Sequence, residues 1–320
     1  MAWWKRCPYI FTVADLWPAA AVQMGMLRNR AAIWLAERLE WSSYRGAAAV
    51  WTLTEGLRRI LIGRGLAPER VFTVTNGVDA ALFRPLPRAE ARAALGWDER
   101  FTVLFAGTIG LAPGLKTLLD AAEQMRDQPD VRFVLLGEGA AKDELQADAA
   151  RRHLTNVAFL APLPHEQLPL AIAAADVCFA GLRPLPLFEA TMPVKCYEAM
   201  ACARPILLAA ADGLARQIFV QEAQAAIAVQ PQDASAIVAA LCYLRSHPDR
   251  ARHLGQLGRA YVQAHFERDQ LTSVLDAHIA LAAAGGGQRG ALAARSASAS
   301  TYPVTQHGHH PQVSVRGPRE

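Results

Sequence analysis

Short apolar runs alternate along the first part of the chain with stretches whose apolar residues recur at helical spacing. The apolar runs fall at 9–13, 48–53 and 71–74, and helical spacing falls at 28–44 and 55–64. A short apolar run bounded by turn residues predicts a strand, whereas apolar positions three or four apart predict one face of a helix. This first series therefore predicts three strands and two helices.

A second and longer series begins at residue 101. The predicted strands are 101–105, 132–136, 157–160, 177–180, 206–209 and 226–229, and the predicted helices are 115–128, 141–153, 167–174, 195–201, 234–245, 250–265 and 268–283. Strands that alternate with helices predict βαβ units, and right-handed crossovers then produce a doubly wound parallel sheet. We therefore expect an α/β protein with a complete Rossmann-like domain after residue 76 and an incomplete one before it.

Residues 284–320 differ in composition, being rich in Ala, Gly and Ser. Such a segment cannot bury enough apolar surface to offset its ordering entropy, so a disordered tail is predicted. The tail contains His307, His309 and His310, which are not expected to form a functional metal site.

Composition narrows the class of protein. The chain has 320 residues and is 52% hydrophobic, which excludes wholesale disorder, and its net charge of +4 is too small to indicate a nucleic-acid binder. The five cysteines are scattered without a CxxC pair, which argues against a disulfide framework or a zinc site. No apolar run reaches the ~18 residues of a spanning helix, and the first residues do not resemble a secretory signal. A soluble, intracellular protein is expected.

Positive charge is concentrated near the amino terminus. Residues 1–70 contain ten Lys or Arg and five Asp or Glu, an excess of +5. Within 26–45, Trp34, Leu39 and Trp41 lie among several arginines. A basic amphipathic helix with tryptophan is typical of a membrane surface. An ordinary domain helix with a solvated face is the alternative.

Two glycine-rich turns follow predicted strands. Gly107, Thr108 and Gly110 lie between a strand and a helix, and Gly137 and Gly139 follow the next strand directly. Glycines in such a loop let the backbone approach a phosphate, and the following helix offers free N–H groups. The alternative for both turns is simple turn geometry.

The most specific segment runs from Thr191 to Ala201. Pro193 suits a helix start, with Thr191 as its predicted cap, and Lys195 and Glu198 then share one face of the first turn. A lysine at a helix start is unfavourable because it meets the positive end of the dipole, and a diphosphate would relieve this. Glu198 would then accept hydrogen bonds from vicinal sugar hydroxyls. The alternative is an intrahelical ion pair.

These residues resemble a known family. The pattern Pro-x-Lys-x-x-Glu-x-Met-Ala from Pro193, followed by Arg204-Pro205-Ile206, is similar to the donor-binding signature of family 4 glycosyltransferases of the GT-B fold. Three further segments match the family in order: Val74–Asp79 resembles the crossover between its two domains, Phe105–Leu119 its glycine-rich loop, and Val134–Gly139 its Gly-x-Gly turn. Asp15-Leu16-Trp17-Pro18 resembles the Asp-x-Trp-Pro motif of bacterial members that build surface polysaccharides, of the fucosamine or colanic-acid type.

The resemblance implies two Rossmann-like domains, the first incomplete: an acceptor-side domain at 1–75, a donor domain at 76–267 and a helix at 268–283 that returns to the first domain. It implies retaining, metal-independent transfer of a sugar from a UDP- or GDP-sugar to an acceptor hydroxyl, with no cofactor. The acceptor would be lipid-linked or an oligosaccharide, and the setting cytoplasmic, peripheral on the inner face of the plasma membrane.

The same resemblance assigns expected roles to residues. Glu198 would hold the donor ribose, and Lys195 with the backbone at Gly107, Thr108 and Gly110 would stabilise the departing diphosphate. Asp15 would face the acceptor. Pro162 and Leu163 would face the base, and the remaining donor-site residues would be Gly137, Gly139, Glu189 and Thr191.

The chain also departs from the family pattern. The partner position of Glu198 is Ala190, with Glu189 one residue away, and Thr108 and Pro113 stand at the usual Arg and Lys sites of the glycine-rich loop. The first domain starts late, which predicts amino-terminal truncation. The main alternative is therefore a non-catalytic nucleotide-binding remnant or a partner subunit of a split enzyme. A sugar epimerase would need acid–base groups beyond Asp15, and a dehydrogenase would need a dinucleotide fingerprint.

Overall fold

The computed structural model describes residues 7–283. Its strands are β1 (Ile10–Val13), β2 (Ala49–Thr52), β3 (Val71–Thr73), β4 (Phe101–Ala106), β5 (Val131–Leu136), β6 (Val157–Leu160), β7 (Val177–Gly181), β8 (Ile206–Ala209) and β9 (Ala226–Val229). All nine fall where the apolar runs predict them. The predicted tail at 284–320, with its three histidines, and residues 1–6 lie outside the described part.

The helices are α1 (Ala19–Gln23), α2 (Arg30–Gly46), α3 (Glu55–Gly63), α4 (Arg88–Leu95), α5 (Leu115–Gln124), α6 (Lys142–Arg151), α7 (Leu168–Ala174), α8 (Val194–Ala201), α9 (Leu214–Arg216), α10 (Ala234–Ser246), α11 (Pro248–His265) and α12 (Arg268–Ala283). A π-helical stretch, Gln217–Glu222, continues α9, and 3₁₀ turns span Pro68–Arg70, His165–Gln167 and Pro186–Ala190. The sequence patterns did not predict α1, α4 or α9, which are short.

The described residues form two compact units. Unit 1 contains 7–77, 185–191 and 268–283, and unit 2 contains 78–184 and 192–267. The sequence placed 185–191 in the donor domain, whereas its contacts place it in unit 1. Thr54 donates a hydrogen bond to the carbonyl of Ala190 at 2.8 Å, and Leu187 is buried in the apolar core of unit 1. These contacts explain the difference.

Unit 1 is built on a small parallel sheet in the order β1-β2-β3. One core cluster includes Val13 and Val50 of the sheet with Leu57 of α3. In the other, Phe72 packs with Leu271 of α12. The His278 ring of α12 also stacks on Phe72, with centroids 4.1 Å apart. Helix α12 is therefore part of this unit.

Unit 2 is built on a six-stranded parallel sheet in the order β6-β5-β4-β7-β8-β9. The chain starts at β4, proceeds outward through β5 and β6, then returns to β7 and proceeds in the other direction. The strand order therefore reverses between β4 and β7. In open α/β sheets, ligands bind at the carboxyl ends of the strands at such a reversal.

The described residues bear on cysteine pairing, on metal ligands and on membrane-spanning helices. All five cysteines are free thiols. No cluster of His, Cys, Asp and Glu suited to a metal ion occurs between residues 7 and 283. Over the same residues, no helix combines the length and the apolar character required to cross a bilayer.

Candidate functional site at the strand-order reversal

The loops that follow β4 and β5 are joined by backbone hydrogen bonds. Gly107 N donates to Leu136 O at 3.0 Å, and Ile109 N donates to Glu138 O at 2.8 Å. The carbonyl oxygen of Gly107 lies where a Cβ on Gly137 would be, and that of Ile109 lies where a Cβ on Gly139 would be. Gly137 and Gly139 are therefore required by the close approach of two loops, which accounts for the Gly-x-Gly pattern without a ligand.

The loop after β4 turns its first residues outward. Gly107 has a φ of +135°, and both Gly107 and Thr108 are exposed to solvent, whereas Ile109 is buried. Gly110 is half-buried, and a Cβ there would meet only its neighbour Thr108 at 3.8 Å. The exposed backbone of the loop leads into the amino terminus of α5, where free N–H groups are available to an anion.

Lys195 reaches this loop from the first turn of α8. Its ammonium nitrogen lies 3.2 Å from the position of a Cβ on Gly107 and 3.6 Å from the centroid of the Phe105 ring. Burial lowers the pKa of Lys195 to about 8, while the negative charge of Glu198 opposes the shift. The cation is thus held in a poorly hydrated place, stabilised by an aromatic face.

Glu198 follows Lys195 by one turn of α8. Both side chains border a small cavity of about 10 Å³ between the helix and the ends of β4 and β7, together with Cys178 and Cys196. A cavity of this size holds about one water molecule, so any nucleotide must lie outside it, on the loops. Burial raises the pKa of Cys178 to about 12 and also raises that of Cys196, so both thiols stay protonated and neither is a nucleophile.

The start of α8 differs from the sequence prediction. Pro193 is the residue that precedes the helix, and no side chain caps it. The hydroxyl of Thr191 donates instead to the carbonyl of Leu187 at 3.5 Å, so the predicted Thr191 cap is wrong. The reason is the preceding 3₁₀ turn, Pro186–Ala190, which directs Thr191 back towards its own turn.

The other predicted site residues fall into two groups. Pro162 is exposed and Leu163 half-buried, and both follow β6 in unit 2. Glu189, Thr191 and Asp15 belong to unit 1. Asp15 follows β1, and desolvation raises the pKa of its carboxyl above the ordinary value. The structure thus brings Lys195 and Glu198 together with the Gly107 loop within unit 2.

Arg183 is a further residue of this region, and no sequence motif pointed to it. It lies just after β7, and its backbone N–H donates to Ala112 O at 3.0 Å. The Cγ of its side chain lies 3.6 Å from the position that a Cβ on Gly114 would occupy. Gly114 directly precedes α5. The arginine stem therefore lies beside the start of α5. The sequence feature that could have identified it is its position: a basic residue two positions after β7, one of the two strands between which the strand order reverses.

Two family descriptions match the chain. "Glycosyl transferases group 1" matches residues 100–247, and "Glycosyl transferase 4-like domain" matches residues 1–77. The first range contains β4 to β9 and all the unit 2 site residues described above. The two ranges are consecutive and together cover more than two thirds of the chain.

Individual relatives and a solved structure are also similar to this chain. A D-inositol 3-phosphate glycosyltransferase of Segniliparus rotundus is 32% identical over 61% of this chain and 43% of its own length. WcaI of Escherichia coli K12, a proposed colanic acid biosynthesis glycosyl transferase, is 26% identical over 65% of this chain and 52% of its own length. The Anabaena protein HepE, solved with UDP and glucose, superposes with a TM-score of 0.72 at 19% identity, over 87% of this chain and 73% of that one.

The chain spans about half the length of the curated relatives that it matches. The two α/β units, the two family matches and the structural neighbours nevertheless all indicate a glycosyltransferase fold. The chain therefore has the GT-B fold, and its residues 1–77 and 100–247 match two glycosyltransferase family domains, the 4-like domain and group 1.

Proposed function

We propose that this chain transfers a sugar from a UDP- or GDP-sugar to an acceptor hydroxyl, with retention of configuration and without a metal ion or cofactor. The observation that carries the proposal is the approach of the Lys195 ammonium to the exposed Gly107 loop, one turn of α8 away from Glu198. Retention of configuration rests on the resemblance to family 4.

The electrostatic part of the reaction would fall to Lys195 and the loop. When the glycosidic bond to the donor breaks, negative charge grows on the departing diphosphate. A fixed cation and backbone N–H groups aimed at that charge lower the barrier because they need no reorganisation. Lys195 would supply the cation, and the backbone N–H groups of Thr108 and Gly110 with the start of α5 would supply the dipoles. The N–H of Gly107 is not one of them, because it donates to Leu136 O. A metal ion is then not required for charge neutralisation.

The nucleoside part of the donor would be held by Glu198 and the loop after β6. A carboxylate accepts hydrogen bonds from two vicinal hydroxyls, so Glu198 is the proposed partner of the ribose. Pro162 and Leu163 offer apolar surface to the base. UDP is the first nucleotide to test because HepE, a structural neighbour, was solved with UDP and glucose.

Asp15 is proposed to act on the acceptor. It follows β1 and is exposed to solvent, and an ionised carboxylate there can accept a hydrogen bond from an attacking hydroxyl. The acceptor is proposed to be lipid-linked or an oligosaccharide of surface-polysaccharide assembly, at the inner face of the plasma membrane. Replacement of Asp15 by Asn is expected to lower turnover and to leave UDP affinity unchanged.

The proposal is tested first by calorimetric titration with UDP and GDP, then by donor hydrolysis and by transfer to a lipid-linked acceptor. The variants are Lys195→Ala and Glu198→Ala, with Arg126→Ala, an exposed residue paired with Glu123, as the control. We expect both site variants to lose affinity and turnover, and the control to keep both. Full activity and affinity in both site variants would refute the assignment.

The same measurements distinguish an active transferase from the alternative, a non-catalytic nucleotide-binding remnant or partner subunit. If the chain binds UDP with Lys195 and Glu198 but turns over no donor, it is a nucleotide-binding subunit and not an independent enzyme. A comparison of UDP with inorganic pyrophosphate separates the proposed ribose contact of Glu198 from the proposed diphosphate contact of Lys195. Glu198→Gln should weaken the binding of UDP but not of pyrophosphate, whereas Lys195→Ala should weaken the binding of both.

A further inference from the structure

The ammonium of Lys195 is held differently from most cations that lie away from bulk water. Its nitrogen lies 3.6 Å from the centroid of the Phe105 ring, well inside the roughly 6 Å over which a ring attracts a cation above its face. Between residues 7 and 283, no carboxylate forms an ion pair with this nitrogen and no oxygen accepts a hydrogen bond from it. Charges withdrawn from water are ordinarily paired and hydrogen-bonded. The ring of Phe105 therefore replaces the usual anionic partner.

Phe105 is itself fixed in the fold. It is a residue of β4, its side chain is 0% exposed, and it belongs to the largest apolar cluster of unit 2. Strand β4 is paired on both sides, with β5 and with β7, so the ring has no room to withdraw. Gly107 follows two residues later, and a Cβ there would lie 3.2 Å from the same ammonium. The cation is thus placed between the ring and the backbone of the loop.

The titratable neighbours of Lys195 do not compete for its charge. They are Glu198 and Cys196 of α8, and Cys178 of β7, which borders the same cavity. Burial raises the pKa of both thiols, so these stay neutral. The charge of Glu198 favours the ammonium but forms no ion pair with it in the described part of the chain.

A ring and a carboxylate would prepare this lysine for different tasks. A carboxylate accepts N–H bonds and cancels the positive charge, whereas the face of a ring favours the charge through its quadrupole and has no lone pairs. The three N–H donors of an ammonium over a ring consequently remain available to an incoming anion. The contact with Phe105 also opposes the desolvation that disfavours the charged form of Lys195.

We propose that Phe105 is a positioning residue for the donor site. Its ring holds the Lys195 ammonium beside the Gly107 loop and keeps it charged, while leaving the N–H donors of the ammonium to the diphosphate of a nucleotide-sugar. Phe105 itself touches no substrate and acts only through Lys195. The inference rests on the proposed function, since a diphosphate is the anion proposed to bind at this loop.

The test weakens the ring without changing its shape. Site-specific incorporation of 4-fluoro-, 3,5-difluoro- and 3,4,5-trifluorophenylalanine at Phe105 of the full chain withdraws electron density from the ring face step by step. The same series at Phe133 of β5 is the matched control, because that ring is also 0% exposed and belongs to the same apolar cluster. Urea unfolding of each variant shows whether it remains folded.

The first measurement needs no nucleotide. The chain contains four lysines, Lys5, Lys116, Lys142 and Lys195, so ¹³C NMR of lysine labelled at Cε follows each ammonium separately, and the signal missing from Lys195→Arg identifies Lys195. We expect the pKa of Lys195 to fall with each added fluorine, by about one pH unit for the trifluoro ring, and to stay constant in the Phe133 series. A constant pKa in the Phe105 series would overturn the proposal.

The second measurement is the UDP affinity of the wild type and the trifluoro variant between pH 6 and pH 9.5. The ratio of the two affinities at each pH cancels the ionisation of UDP. If the ring acts on the charge of Lys195, this ratio should rise from near one at pH 6 to about tenfold above pH 9. A loss that is equal at every pH would indicate a packing defect and overturn the proposal.

The two measurements also separate this inference from the proposed function. Unchanged UDP affinity in Lys195→Ala would refute the proposed function and, with it, the ligand assigned here. UDP binding that requires Lys195 but is unaffected by fluorination of Phe105 would refute the positioning role alone.

Discussion

The ammonium of Lys195 lies 3.2 Å from the position that a Cβ on Gly107 would occupy. Gly107 also has a φ of +135°, a conformation that residues with a Cβ rarely adopt. The absence of a side chain therefore serves two purposes at one position. It permits the backbone turn after β4, and it leaves room for the cation from α8 beside the exposed backbone of the loop.

Gly107→Ala should therefore weaken UDP binding more than its effect on stability explains. The added methyl group displaces the Lys195 ammonium and strains the backbone, so we expect a loss of about 1–3 kcal/mol in stability together with lower UDP affinity. The control is Gly96→Ala, at a φ of +65° with no atom within 4 Å of the new Cβ. It should lose stability and keep UDP affinity, as measured by urea unfolding and calorimetry. Equal affinities in both variants would contradict the prediction.

UDP affinity should fall as the pH rises through the pKa of Lys195. That pKa is about 8 in the free protein because burial disfavours the charged form, and a bound diphosphate raises it. Binding therefore requires the protonated lysine, and above pH 8 affinity should fall by up to about tenfold per pH unit. Calorimetry between pH 7.5 and pH 9.5 measures the slope, a range in which the phosphates of UDP stay ionised.

Lys195→Arg is the control for this pH dependence. A guanidinium stays charged over the whole range, so the affinity of that variant should be nearly independent of pH. If the wild type shows no slope, or the arginine variant shows the same slope, the titrating group is not Lys195.

The sequence predicted the strands of this fold well and its short helices poorly. The strands of unit 2 are nearly continuous apolar runs. The four central strands β5, β4, β7 and β8 are buried along most of their length, and β5 from Val131 to Leu136 is buried throughout. Such runs carry their own signal. Helix α4 (Arg88–Leu95) contains only alanines and one leucine as apolar residues, and besides a small apolar cluster around Ala91 it is held by the buried Arg92. A buried arginine held by tertiary hydrogen bonds leaves no periodic pattern to read.

The same distinction applies to the site. Lys195 and Glu198 could be predicted to share a face because helical spacing alone decides it. The packing role of Gly137 and Gly139 could not, because it depends on the carbonyls of another loop. The membership of Leu187 and Glu189 in unit 1 also depends on contacts with distant residues, of which the hydrogen bond from Thr54 to Ala190 is one. The predicted contacts of these residues with donor and acceptor remain predictions.

Arg183 should contribute to diphosphate binding in place of the cations that the glycine-rich loop lacks. Its stem lies beside Gly114 at the start of α5, where a positive side chain meets the positive end of the helix dipole and an anion would relieve the repulsion. Arg183→Ala should weaken both UDP and pyrophosphate by about tenfold, with little change in stability because the side chain is half-buried. Arg183→Lys should recover part of the loss. Unchanged affinity in Arg183→Ala would exclude this role.

Arg92 should be the most costly arginine to replace for the stability of unit 2. It is 1% exposed, and it donates to Ala174 O at 3.0 Å, to Glu99 at 3.0 Å and to Asp176 at 2.7 Å. Asp176 also accepts a hydrogen bond from Thr102 N of β4 at 2.7 Å, so the pair ties α4 to the sheet. Arg92→Met leaves a largely buried carboxylate with fewer partners, and we expect a loss of about 3–5 kcal/mol in the free energy of unfolding.

Arg126→Met is the comparison for Arg92. Arg126 pairs with Glu123 at the surface, and both side chains are substantially exposed, so its loss should cost less than about 1 kcal/mol. Urea unfolding followed by circular dichroism measures both variants. Because the Asp176 carboxylate would remain in Arg92→Met, Arg92→Met/Asp176→Asn should recover part of the lost stability. Similar small losses for both arginines, or no recovery in the double variant, would show that burial of the Arg92–Asp176 pair does not determine how α4 is held.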